Sequence, residues 1–229
     1  MMERKLSMRL AVALVCIAAL LFAGAAPVHA SEKSDGKNMK KVLKYYKKAQ
    51  YSKVRKYAKK MRKHAKEKCV ATMPADMRQA YLQKVKHYVN KYGIDTNYGE
   101  PFVWGYFLTD IDNDKKADLL VELGSCEADV KVLVFRYKAG KVKKVGSVGC
   151  DHTAFAAYPK HKGIVMHWGH MGYESLNVLT VKKGKLKINR YGHRELGPKD
   201  NLIKMRCYLN SHITYDKQYN PSISYKDLT

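Results

Sequence analysis

The chain has 229 residues, 46% of them hydrophobic, with 44 Lys and Arg against 20 Asp and Glu and a formal net charge of +24. A balance so far from neutral points to polyanionic partners or surfaces and says nothing about fold. No H-E-x-x-H, nucleophile elbow or glycine-rich phosphate loop occurs, so the enzyme classes that those motifs define have no support.

At the N-terminus Arg4, Lys5 and Arg9 precede an apolar run over residues 10–22, and Val28-His29-Ala30 ends on the small residue that signal peptidase favours. Residues 1–30 are therefore expected to be a signal peptide cleaved after Ala30, which makes the mature chain 31–229 secreted or cell-surface. The apolar run is short of the about 20 residues that a membrane span needs, and Gly24 and Pro27 interrupt it. Cys16 is no lipidation site on this reading, because Val15 before it is too bulky for the usual cleavage.

The cationic excess is uneven: residues 31–93 carry 20 Lys and Arg against four acids, and residues 94–229 carry 21 against 15. A lysine-rich helical segment (31–93), a β-rich domain (94–193) and a C-terminal extension (194–229) are the expected divisions. In the first, Met39, Val42, Leu43 and Tyr46 recur at helical spacing; after a slip over 50–52 the pattern resumes with Val54, Tyr57, Ala58, Met61 and Ala65. That predicts one interrupted helix or two short ones. A further helix is expected to open at Thr72 or Met73 with Pro74 in its first turn, bury Met77, Tyr81, Val85, Tyr88 and Tyr92, and stop at Gly93.

From there the texture becomes short β-rich runs: 102–109, 119–123, 130–137, 142–148, 154–158, 164–168, 176–181 and 186–190. Tight turns are expected at Ala139-Gly140, Lys162-Gly163 and Lys183-Gly184. The fold class is α+β, with basic N-terminal helices covering an antiparallel β-meander that forms a curved sheet or part of a propeller. In the tail, residues 201–209 suggest a short helix docked by Cys207, and 215–229 a polar loop.

Between the first two β runs stands Asp110-Ile111-Asp112-Asn113-Asp114-Lys115-Lys116-Ala117-Asp118. Alternate residues of a tight loop turn inward, so Asp110, Asp112 and Asp114 can converge on a hard cation, with the Lys116 carbonyl and Asp118 completing the shell as a structural calcium site. Four aspartates so spaced repel one another unless a cation joins them. The other reading is a solvated turn in which Asp110 and Asp112 bond to the backbone.

With the preceding Tyr106-Phe107-Leu108-Thr109 and the following Leu119-Leu120-Val121, this stretch resembles the Asp-rich calcium loops of FG-GAP and VCBS repeat proteins. It is most similar to exported Gram-positive bacterial proteins that carry one such strand-loop-strand unit. The resemblance implies a β-rich extracellular domain with a structural calcium held by Asp110, Asp112, Asp114 and Asp118, usually without known catalysis. The chain departs from the pattern at loop position 6, where Lys115 replaces the usual glycine; a side chain in left-handed geometry costs about 1 kcal/mol. An EF-hand fits less well, since Val121 stands where a bidentate glutamate is expected. The loop does not recur in the chain, which argues against a full propeller of identical blades.

Four cysteines remain after the signal, and an exported chain meets conditions in which thiols pair. Of three possible pairings, a hairpin about Ala139-Gly140 favours Cys126 with Cys150, leaving Cys69 with Cys207; unpaired thiols stay open as the alternative.

Three functional readings follow. A lysine-rich face interleaved with Tyr45, Tyr46, Tyr51 and Tyr57 suits attachment to an anionic cell-wall polymer or membrane surface, and equally a solvated helical face with tyrosines in the core. The same face could bind extracellular nucleic acid, but the excess of Lys over Arg favours delocalised attraction over shaped recognition. A secreted metal-dependent hydrolase would need His152, His167 and His170 to converge, and on a strand positions three apart face opposite sides. The leading expectation is a non-catalytic, calcium-stabilised binding or surface-associated protein.

Overall fold

The computed structural model describes residues 30–61, 73–94, 99–198, 200–202 and 204–205. Helices α1 (Ala30–Lys47), α2 (Tyr51–Met61) and α3 (Ala75–Tyr92) precede strands β1 (Phe102–Thr109), β2 (Asp118–Gly124), β3 (Lys131–Lys138), β4 (Lys141–Gly149), β5 (Thr153–Ala157), β6 (Ile164–His170), β7 (Tyr173–Lys182) and β8 (Lys185–Glu195).

The slip in the helical pattern is a real break. Ala49 turns to φ 52° and its N–H bonds the Tyr46 carbonyl, which ends α1; Gln50 then accepts the first bond of α2 from Val54. Pro74 stands just ahead of α3, where its missing N–H costs nothing. Gly93 stops α3 at φ 74°, a conformation open to glycine, with its N–H on the Val89 carbonyl at 2.7 Å. Ala65 and Thr72 lie outside the described residues.

The meander does not run on as one curved sheet. It divides between β4 and β5 into two four-stranded antiparallel sheets, ordered β1-β2-β3-β4 and β5-β6-β7-β8. The reason is two-sided burial: every residue of β2 is buried, as in a strand covered on both faces. Leu119, Val121, Leu133 and Phe135 pack under Met77, Tyr81 and Val85 of α3. On the opposite face Leu120, Val132 and Val134 meet Phe155, Ile164, Met166 and Leu179 of the second sheet. That sheet turns Ala156, Val165, Leu176 and Val178 toward Met39, Val42, Leu43, Val54, Ala58 and Met61. The result is four layers, helix on sheet on sheet on helix.

One consequence is that the described helices of the lysine-rich segment share their cores with the two sheets. Its first two helices cover the last sheet and its third covers the first; the Tyr46 hydroxyl donates to the Glu174 carbonyl at 3.1 Å, 128 residues away. In the tail, Leu202, Lys204 and Met205 are helical, Asn201 caps them through its side chain, and Met205 packs into the α1–α2 core. Cys207 and residues 215–229 lie outside the described residues.

The expected Cys126–Cys150 bridge is not formed; both are free thiols. Asp129 gathers the Ser125 and Cys126 N–H groups and the Ser125 hydroxyl, closing a turn that keeps Cys126 at the surface. Cys150 instead lies in the inter-sheet core, where burial pushes its thiol pKa up. Cys69 and Cys207 are outside the described residues.

Candidate functional site

The Asp loop spans the gap between β1 and β2, and its shape comes from its own carboxylates. Asp110 accepts the N–H groups of Asp114 and Lys115 at 3.0 and 2.8 Å, and Asp114 accepts that of Lys116 at 2.9 Å. Asn113 and Lys115 take φ 59° and 70°, so Lys115 does occupy the left-handed position where the loop pattern has glycine. Asp118, 3% exposed, opens β2 and accepts the Ile111 N–H at 3.0 Å.

One carboxylate oxygen from each of Asp110, Asp112 and Asp118 lies within 4.8 Å of the others, an arrangement that could hold a cation. Asp112 Oδ1 is buried with no hydrogen-bond partner among the described residues, while its Oδ2 meets Arg136. Asp114 is turned instead toward Arg136, which the spacing of the loop did not announce. From β3 this guanidinium donates to Asp112, to Asp114 at 3.1 Å and to Asp118 at 3.2 Å. Burial pushes the Asp118 carboxyl up to about 7 against the pull of the Ile111 N–H and Arg136. Asp112 is also raised by burial, with Arg136 opposing. Four carboxylates crowd the loop, with the Arg136 guanidinium and the loop's own Lys115 and Lys116 as opposing charges, and the carboxylate oxygens suit a hard cation.

The three histidines do not converge. His152 and His170 stack ring on ring at 3.7 Å near the sheet end, with His152 Nδ1 3.0 Å from Glu127. His167 points the other way, as strand alternation requires, and is wholly buried with its Nε2 2.8 Å from Glu174. Burial alone would raise Glu174, but His167 and Arg194 outweigh it and hold its pKa low. Arg194 in turn grips Asp200, and Arg55 of α2 completes the chain of charges. His167 itself has no exposed surface in that network.

The basic face is assembled by α1 and α2. Residues 36–61 contain eleven Lys and Arg and no acid. Tyr45 and Tyr57 stack in parallel at 5.5 Å on the partly exposed side of the helix pair. Lys41 and Lys60 lie 4.8 and 5.6 Å from the Tyr57 ring, and Lys53 and Lys44 5.1 and 6.0 Å from that of Tyr45. Among the described residues none of these four lysines pairs with a carboxylate. Tyr46 and Tyr51 belong to the core side, Tyr46 buried and Tyr51 packed edge-on against it and under Arg194.

No protein-family model matches this chain, and neither the curated proteins nor the solved structures contain a match to it.

Proposed function

We propose that the chain is an exported, non-catalytic binding protein that attaches to anionic polymers of the cell envelope, with the Asp loop taking up calcium as a structural ion. The observation that carries the reading is the Tyr45–Tyr57 stack ringed by Lys41, Lys44, Lys53 and Lys60. Ammonium groups on flexible stems, without a carboxylate partner among the described residues, attract a repeating polyanion without demanding one geometry, and stacked rings beneath them hold the cations at one face. Separation of the buried His167 from the His152–His170 stack supports a binding role over hydrolysis by a histidine cluster.

Binding of the mature protein to immobilised poly(glycerol phosphate) tests the face. Changing Lys41, Lys44, Lys53 and Lys60 together to Gln is expected to weaken binding by about a hundredfold at low salt and to flatten its salt dependence, since fewer counterions are released. Equal binding by the variant sinks the assignment.

Calcium is tested separately by titrating metal-free protein in a calorimeter with thermal melts alongside. Saturable binding that raises Tm is expected, by about 4 kcal/mol of added stability at a thousandfold excess over Kd. Asp112→Ala/Asp114→Ala is expected to abolish both signals. No heat and no shift at millimolar calcium would overturn the metal assignment and leave protein cations such as Arg136 to offset the aspartates.

A further inference from the structure

A second basic feature lies on a different side of α2. Between that helix and the segment after β8 is a cavity of about 470 Å³, lined by Arg55, Lys56, Lys59, Arg194 and Lys204 together with Glu174 and Asp200. Its volume falls in the about 300–1,000 Å³ range of small-molecule sites. Five cations face two carboxylates, and both carboxylates are already committed to arginine.

The arrangement of Asp200 is informative. Arg55 Nη1 reaches one of its oxygens at 2.9 Å and Arg194 Nη1 the other at 2.6 Å, so two guanidinium groups clamp one carboxylate. Arg194 is held in place independently, bonded to Glu174 at 2.6 Å and lying 4.0 Å over the Tyr51 ring. The Arg194 side chain is 10% exposed, so one arm of the clamp is buried and preorganised. Asp200 sits in a short turn in which its N–H bonds the Gly197 carbonyl at 2.9 Å and the Gly197 N–H bonds its carboxylate at 3.0 Å. The exposed cations of Lys56, Lys59 and Lys204 have no carboxylate partner among the described residues.

From this geometry we infer a binding site for the phosphate monoester of a small polar molecule, in which the phosphate displaces Asp200 from Arg55 and Arg194. A tetrahedral dianion offers the oxygens that two forks can share, and it matches the surplus charge of the three lysines better than a singly charged diester or carboxylate does. The site is separate from the Tyr45–Tyr57 face and does not depend on it.

The test is calorimetric titration of the mature protein with glycerol 3-phosphate, beside inorganic phosphate and glycerophosphoglycerol to separate ester, free ion and diester. Glycerol 3-phosphate is expected to bind saturably and more tightly than the other two. Asp200→Asn removes the internal competitor and is expected to tighten binding about tenfold, whereas Lys56→Gln/Lys59→Gln, on exposed helix positions that leave the fold intact, is expected to weaken it about tenfold. Lys41→Gln/Lys60→Gln, on the other face, is expected to leave it unchanged, which separates this site from polymer attachment. Absence of saturable binding, affinity unmoved by Lys56→Gln/Lys59→Gln, or equal affinity for the diester would each overturn the inference.

Discussion

Glu122→Gln is expected to stabilise the protein above neutral pH by up to about 3 kcal/mol and to remove part of its pH dependence between about pH 4.5 and 7. Glu122 is 5% exposed in β2, and one of its oxygens is buried without a hydrogen-bond partner. Burial pushes its carboxyl from 4.5 up to about 7. A carboxyl whose pKa is higher in the folded state binds its proton more tightly there, so stability is full below the unfolded value and falls as pH rises toward the folded one. Asp118, also raised to about 7, contributes in the same direction. Urea melts of wild type and variant at pH 5 and pH 8 check this: the two are expected to differ little at pH 5 and most at pH 8. Equal curves at both pH values would mean that Glu122 is solvated in the native state.

The second large effect is expected at Arg194. Replacing it with Ala leaves Glu174, 1% exposed, with His167 as its remaining ion-pair partner among the described residues, and frees Asp200 from one arm of its clamp. Breaking a buried charge network from one side costs about 3–5 kcal/mol, and Arg194→Lys recovers only part of it because an ammonium cannot fork between two carboxylates. The acid limb carries the signature. Glu174 and Asp200 are held below their ordinary values, so the stability they add is present above the unfolded carboxyl range and lost as pH falls through the folded one. In Arg194→Ala the loss of stability toward acid is expected to be shallower than in wild type, measured by urea melts from pH 6 to pH 3. A variant as stable as wild type at pH 7 would show that this network contributes nothing to the fold.

The elements of this fold are legible in the chain, because local signals set them: the Met39-Val42-Leu43-Tyr46 stripe, Pro74 and Gly93 around α3, and the turns at Ala139-Gly140 and Lys183-Gly184 all stand where the pattern predicts. The division into two stacked sheets is not local. It follows from β2 having apolar side chains on both faces, and a run such as Leu119-Leu120-Val121 does not say what covers it. The same holds for the partners of the charged residues. Asp118 faces Arg136 through the β2–β3 register, which spans the six-residue connection 125–130 rather than a tight turn. Glu174 faces Arg194 only because the β7–β8 ladder slips by one between Leu176 and Asn177; counted straight from Lys183-Gly184, Glu174 would face His193. That His167 and His170 face opposite sides of a strand was legible in their spacing, and β6 separates His167 from the His152–His170 stack accordingly.

Attachment through the basic face is tested most directly by cosedimenting the mature protein with Gram-positive wall sacculi, intact and after chemical removal of their anionic polymers. The protein is expected to pellet with intact walls at low salt, to be released as salt rises, and to stay in solution with the stripped walls. Equal pelleting with both preparations, or binding that salt does not weaken, would contradict the account and place the function somewhere other than the lysines around Tyr45 and Tyr57.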